Sequence, residues 1–200
     1  MKGSIIILAV FLSGVLLGRF VDMPEVLTAD GPTLYALYAL MFLVGISLGS
    51  DRQALQALKQ QNLKIILVPL ATVAGTLAGV SLVSFVLAGR SLTDCLAVGS
   101  GFGYYSLSSI FITQYKGAEL GTIALMSNIM RELLTLLAAP LLVRCFGKLA
   151  PIAAGGATTA DTTLPIIARY SGKEFTIISV VHGMAVDFSV PFLVTFFCTI

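Results

Sequence analysis

A chain of 200 residues that is 57% hydrophobic and only 11% charged cannot present a water-facing surface, because soluble domains carry about 25% charged residues. Most of its exterior must meet lipid, and a net charge of +2 with no basic run excludes nucleic acid as a partner. Cys95, Cys145 and Cys198 stand apart without C-x-x-C spacing. They read as small buried apolar residues rather than metal ligands or a disulfide framework, and no cofactor or metal is expected.

Crossing the hydrocarbon core takes about 20 apolar residues as helix. Residues 4–20 meet this, with Arg19 free to extend toward the interface. The alternative for this stretch is a signal peptide, but no small-x-small cleavage site precedes a polar region and the chain stays hydrophobic. An acidic loop, 22–32, contains the turn signals Pro24, Asp30-Gly31 and Pro32. The second span is 33–49, closed by Gly45 and Gly49. A polar stretch at 51–62 carries Arg52 and Lys59, with Lys64 just beyond, and 63–89 is a third span long enough to tilt. Residues 119–143 and 175–200 form two more long hydrophobic helices.

Between these lie two stretches, 91–115 and 149–170, apolar enough for membrane depth but interrupted. The first contains Gly99-Ser100-Gly101-Phe102-Gly103-Tyr104-Tyr105-Ser106 and the second Gly155-Gly156-Ala157-Thr158-Thr159-Ala160-Asp161-Thr162-Thr163, then Pro165. Glycine lets the backbone leave helical geometry, and peptide groups freed within lipid must find partners in protein or in a watery cavity. Gly101, Gly103, Gly155 and Gly156 are therefore read as backbone breaks, in re-entrant hairpins or discontinuous helices.

A shift of 55 residues lays Gly101 on Gly156, Ile112 on Ile167, Tyr115 on Tyr170, Gly117 on Gly172 and Glu119 on Glu174. It also lays Ser106 on Asp161 and Glu132 on Asp187. Each unit is then a broken segment followed by a long helix with a central acid; chance similarity in an apolar chain is the competing explanation. The expected fold is an all-α integral membrane protein of about five full transmembrane helices plus two re-entrant or broken segments arranged as an inverted repeat. It forms a single domain over 1–200, with scaffold helices in 1–90 and the two units in 91–145 and 146–200. The basic loop 50–64 places the N-terminus in the cytoplasm. Hairpins rather than full crossings put more of the basic residues inside, and they leave the C-terminus outside.

Glu132 and Asp187 fall at the centres of their helices. An ionisable residue at that depth costs roughly 2.5–3.5 kcal/mol and usually faces the protein interior with a function. Ser127, Asn128, Arg131, Glu132 and Thr135 share one helical stripe, as do His182, Gly183 and Asp187. The structural alternative is an ion pair in which Arg131, held by Asp187 or Asp161, only locks helices together. Asp161 lies inside a break among four threonines, where carbonyls and hydroxyls such as those of Thr158 and Thr159 can coordinate a cation and half-helix N-termini can hold a carboxylate; its alternative is a capping role in a Thr-rich kink. His182 alone is more often a hydrogen-bonded core histidine. Tyr104 and Tyr105 could be ordinary packing aromatics, yet their place beside Gly103 and Ser106 in a break favours a pocket lining. Three acids and one arginine within the membrane suit a cationic substrate, a coupling H⁺ or Na⁺, or both.

Ser100-Gly101-Phe102-Gly103-Tyr104-Tyr105-Ser106, Arg131-Glu132-Leu133, Gly155-Gly156-Ala157-Thr158-Thr159-Ala160-Asp161 with Leu164-Pro165, and Val181-His182-Gly183 resemble the LysO-type lysine exporter family, from about Gly45 to the C-terminus. The resemblance implies a bacterial inner-membrane carrier that expels L-lysine and toxic lysine analogues, driven by a cation gradient. It implies Glu132 and Asp161 as the family's intramembrane acids; Asp187 is not among them. Longer family members carry additional N-terminal membrane helices, so a separate small membrane subunit supplying them stays open, as does a homo-oligomer. Two other functions compete. An intramembrane protease would need a nucleophile within reach of His182 or a Gly-x-Gly-Asp motif, whereas Ala160 precedes Asp161. A structural subunit of a membrane complex would explain the helices but not two breaks with three buried acids.

Overall fold

The computed structural model describes residues 66–87 and 89–200, together with Ser13, Leu16, Leu17, Arg19, Phe20, Tyr35, Ala39, Phe42 and Ile46. The chain divides into two compact units, Met1–Ser50 and Asp51–Ile200. In the first, the described positions are all helical and fall within the spans expected at 4–20 and 33–49. Apart from Phe20, the limits of those spans, together with the loop 22–32 and the basic stretch 51–62, lie outside the described residues.

In the second unit every regular element described is a helix. Helix α1, Leu67–Ser84, is 18 residues long, about 27 Å at 1.5 Å per residue. It ends earlier than the expected 63–89. The Ser81 and Ser84 hydroxyls donate to the carbonyls of Leu77 and Ser81, the N–H groups of Val86 and Leu87 both turn back to Val83 O, and Gly89 follows at φ 97°.

The first interrupted stretch becomes α2 (Leu92–Gly99) and α3 (Tyr105–Lys116). Ser91 caps α2 by accepting from the Asp94 N–H at 3.0 Å, which satisfies one of the donors a helix start leaves free. Helix α4, Ala118–Phe146, follows after Gly117. The second interrupted stretch becomes α5 (Ala150–Gly155), a 3₁₀ turn (Gly156–Ala160) and α6 (Leu164–Tyr170). Pro151 and Pro165 stand in the first turns of α5 and α6, where a missing N–H costs nothing. A short 3₁₀ turn, Lys173–Phe175, leads into α7, Thr176–Thr199.

Two described helices are long and apolar enough to cross a membrane, Leu67–Ser84 and the run Lys173–Thr199 that contains α7. Helix α4, with 29 residues, has the length as well but carries Arg131 and Glu132 at its middle.

Ion pairs join the two ends of each interrupted stretch. Arg90, before α2, pairs with Glu119, at the start of α4. Lys116, at the end of α3, reaches Asp94, at the start of α2, at 3.3 Å. Lys148, before α5, reaches Glu174, after α6, at 3.1 Å. In each stretch, residues that flank its opening and its close therefore lie next to one another.

Helix α3 packs along α4, while α7 packs against α2, α3 and the 3₁₀ turn of the second break. The inner face of α7 carries Ser179, His182, Gly183, Val186, Val190 and Val194, all buried. Its outer face shows Phe188, Phe192 and Phe196, spaced four apart on one stripe. On α4 the exposed residues include Met130, Leu134, Leu137 and Leu141. Outward-facing large apolar side chains on this scale suit a lipid solvent.

Candidate functional site

The two breaks meet each other. The Phe102 carbonyl, at the turn between α2 and α3, accepts from the Ala157 N–H at 2.9 Å. Phe102 takes φ 45°, the one positive value at a non-glycine residue among those described. On the opposing side Gly156 has φ 63°, and a Cβ there would run into the Phe102 carbonyl. The approach requires glycine for space as well as for conformation.

Each long helix then holds one break. Asn128 of α4 accepts from the Gly103 N–H at 2.7 Å and donates to its own helix at Ala124 O at 2.8 Å. Gly183 of α7 lies so close to the second break that a Cβ would stand 2.5 Å from the Ala160 nitrogen. Four residues further along, on the same helical face, come Glu132 and Asp187. The pairs Asn128/Gly183 and Glu132/Asp187 are separated by the same 55 positions as the motifs.

Where the breaks meet they enclose a cavity of about 200 Å³. Tyr104, Tyr105 and Ser106 line it from the start of α3, Thr158, Asp161 and Thr162 from the second break, Glu132 from α4 and Asp187 from α7. Glu132 and Asp187 are half-buried, and Asp161 is exposed to the opening. The Asp161 carboxylate accepts from the Thr162 N–H at 2.5 Å. No basic side chain lines this cavity among the described residues. No side chain caps α3, whose first residues, Tyr105 and Ser106, line the same cavity; a helix start carries the positive end of its dipole.

Of the residues singled out in the sequence, Glu132, Asp161, Asp187, Tyr105, Ser106 and Thr158 thus share one cavity. Asn128, Thr159 and His182 are near it but act as fasteners. His182 is completely buried, with Nε2 2.9 Å from the Thr72 hydroxyl and Nδ1 3.1 Å from the Thr159 hydroxyl. Thr159 directs its one hydroxyl hydrogen at the carbonyls of Gly156 and Ser179, 2.7 and 2.9 Å away. The two threonine hydroxyls thus hold the ring from both sides, whichever nitrogen carries the proton. Both ring nitrogens are taken by buried threonine hydroxyls, and His182 does not line the cavity. Gly101 and Gly103 lie in the turn between α2 and α3, Gly155 ends α5 and Gly156 opens the 3₁₀ turn.

Arg131 differs from the ion-pair alternative. Among the described residues no ion pair involves it. Its guanidinium instead donates to the carbonyls of Ala154 and Ala153, at 2.8 and 3.1 Å. It lines a second, largely apolar cavity of about 270 Å³ between α1, α2 and α4. The orphan carbonyls of a short half-helix compete for the guanidinium, and that competition has no mark in the local sequence. Thr72, the partner of His182, also went unmarked, because a threonine in an apolar helix is ordinary. Phe102 carried a signal, standing between two glycines.

The family model described as "Lysine exporter LysO" matches residues 8–198. A "Putative lysine exporter" of Haemophilus influenzae is 35% identical over 168 residues, which covers 84% of this chain and 85% of that protein. The "Lysine exporter LysO" of Escherichia coli (strain K12) is 34% identical over 163 residues, covering 82% of this chain and 54% of that protein. The match thus spans about half the length of the latter relative. No solved structure matches the chain. On this evidence the chain belongs to the LysO lysine exporter family, a family of transporters rather than enzymes.

Proposed function

We propose that this chain exports L-lysine across the bacterial inner membrane by exchange for H⁺ or Na⁺, with the cavity between the two breaks as the binding site. The observation that carries this reading is the facing of three carboxylates, Glu132, Asp161 and Asp187, into one cavity without a lining cation among the described residues. A carboxylate about 4 Å from an ammonium gains roughly 4 kcal/mol at an effective dielectric near 20, which offsets part of the cost of stripping water from a cationic side chain. The uncapped start of α3 supplies amide donors for the substrate's own carboxylate. Asp161, at the exposed end, binds the substrate's cationic end and exchanges it for the coupling ion. Toxic lysine analogues that keep the terminal cation are carried as well.

The same reading makes the two interrupted stretches re-entrant hairpins that enter from opposite faces, as an inverted repeat. The ion pairs that close each stretch at its ends support it, as does the length of α4, which separates the two closures. The N-terminus is then cytoplasmic and the C-terminus outside. Cysteine labelling beside Arg144 tests the arrangement; labelling from the periplasm alone sinks the hairpins.

Counterflow of labelled lysine in proteoliposomes tests the function. Asp161→Asn is expected to lose lysine binding together with its pH or Na⁺ dependence. Lysine binding retained in Asp161→Asn with only the coupling lost would refute the shared site and move the substrate to Glu132.

A further inference from the structure

Arg131 stands next to Glu132 in α4, yet the two side chains serve different spaces. Neighbouring helical residues project about 100° apart, so Glu132 faces the acidic cavity while Arg131 faces the apolar one. Arg131 is half-buried there, and its partners are backbone carbonyls rather than a carboxylate. Its Nε and Nη2 donate to Ala154 O and Ala153 O, in the last turn of α5.

Those carbonyls need partners because the helix stops at Gly155. In an unbroken helix the Ala153 carbonyl would accept from Ala157. The Ala157 N–H is instead directed across to Phe102 O in the other break. The Arg131 guanidinium also lies 5.8 Å from the centre of the Phe102 ring, within range of a cation–π attraction. Phe102, Ala157, the end of α5 and Arg131 therefore form a closed circuit that passes through both breaks.

We infer that Arg131 is a positioning residue that clamps the tips of the two interrupted segments together, through the α5 carbonyls on one side and the Phe102 ring on the other. The planar fork is what permits this. It meets two successive carbonyls and still presents a face to an aromatic ring, which the point charge of lysine cannot do. Gly103 and Tyr104 on one tip, and Ala157 and Thr158 on the other, line the acidic cavity. Access between the tips must break the circuit, so Arg131 governs how readily they part. Only the kinetic part of this inference rests on the transport reading.

Hydrogen–deuterium exchange on the full chain in nanodiscs tests the clamp, and lysine efflux from proteoliposomes tests its consequence. In Arg131→Lys, amides at both 101–104 and 153–160 are expected to exchange about tenfold faster, as loss of a charge-assisted hydrogen bond allows. Faster exchange confined to 153–160 reduces Arg131 to a local helix cap and overturns the clamp, as does unchanged exchange at both tips. Phe102→Leu gives a second route: removing the ring from one tip must speed exchange at 153–160 on the other, and failure to do so also overturns it. In efflux, Arg131→Lys is expected to change the maximal rate about tenfold while shifting half-saturating lysine by less than about threefold. A rise in half-saturating lysine of about tenfold at an unchanged maximal rate places Arg131 on the substrate instead and overturns the positioning role. Wild-type vesicles that carry no lysine refute the transport reading, and the clamp is then decided by exchange alone.

Discussion

The two breaks do the same work by different chemistry. The first is held by a polar side chain: Asn128 reaches from α4 and accepts from the Gly103 amide. The second is held by close approach as well as by side chains: Gly183 lets α7 close onto Ala160, and Thr159 is tied to Ser179 and His182 of α7. One turn beyond each support stands an acid, Glu132 or Asp187, and both acids line the same cavity. The arrangement of backbone and acid is common to the two halves, whereas the fastening differs. The first break needs an acceptor for its buried Gly103 N–H, because an unpaired donor at membrane depth is costly, whereas the second needs room for a close approach of backbone to helix.

The largest effect is expected at the acids. Glu132→Gln should lower lysine counterflow at least about a hundredfold, because it removes an electrostatic attraction of several kcal/mol, while membrane insertion stays normal. Asp187→Asn measured beside it sharpens the comparison: a comparable loss makes the halves functionally alike, and wild-type counterflow makes Asp187 structural. A Glu132→Gln protein that fails to accumulate but still carries lysine assigns Glu132 to folding.

Exchanging the two supports should come next. Gly183→Asn forces atoms into the Ala160 backbone and is expected to destabilise by about 3 kcal/mol or more, as severe overpacking does. Asn128→Gly leaves the buried Gly103 N–H without an acceptor, at about 1–3 kcal/mol, with roughly 1 kcal/mol more for glycine inside a helix. Thermal melts in detergent read both. A swap tolerated at either position breaks the claim that each break has its own fastening.

Thr72→Val should be milder. It deprives the His182 ring of one partner, an effect of about 1–3 kcal/mol, visible as a lower melting temperature with lysine counterflow retained. Loss of counterflow at unchanged stability would give His182 a part in transport. The smallest effect is expected from Glu174→Gln, which removes an exposed partner of Lys148. Exposed pairs contribute little, so the melting temperature should not change. A clear drop shows that the mouth of the second stretch depends on its closure more than that of the first, where two pairs act together.

Much of this was open to reading along the chain. Composition alone demanded lipid around most of the surface, because 11% charged residues cannot cover a soluble domain. The breaks at Gly101–Gly103 and Gly155–Gly156 were visible because glycine clusters end helices through local backbone freedom. The acids stood out because an ionisable residue in a long apolar run has a known cost. These are short-range properties, carried by each segment wherever it lies.

What tertiary structure decided were the partners. That Phe102 and Ala157 would join the two breaks, or that His182 would find Thr72 across 110 positions, depends on which segments come together. Arg131 shows the reason most plainly. Its charge allowed an ion pair with Asp187 or Asp161, but the unmet demand it answers in the folded chain is a pair of half-helix carbonyls. Those carbonyls are left over because Ala157 turns its amide to the opposite tip. A buried donor is claimed by whichever acceptor the fold leaves unsatisfied, and that is settled only once both breaks are in place.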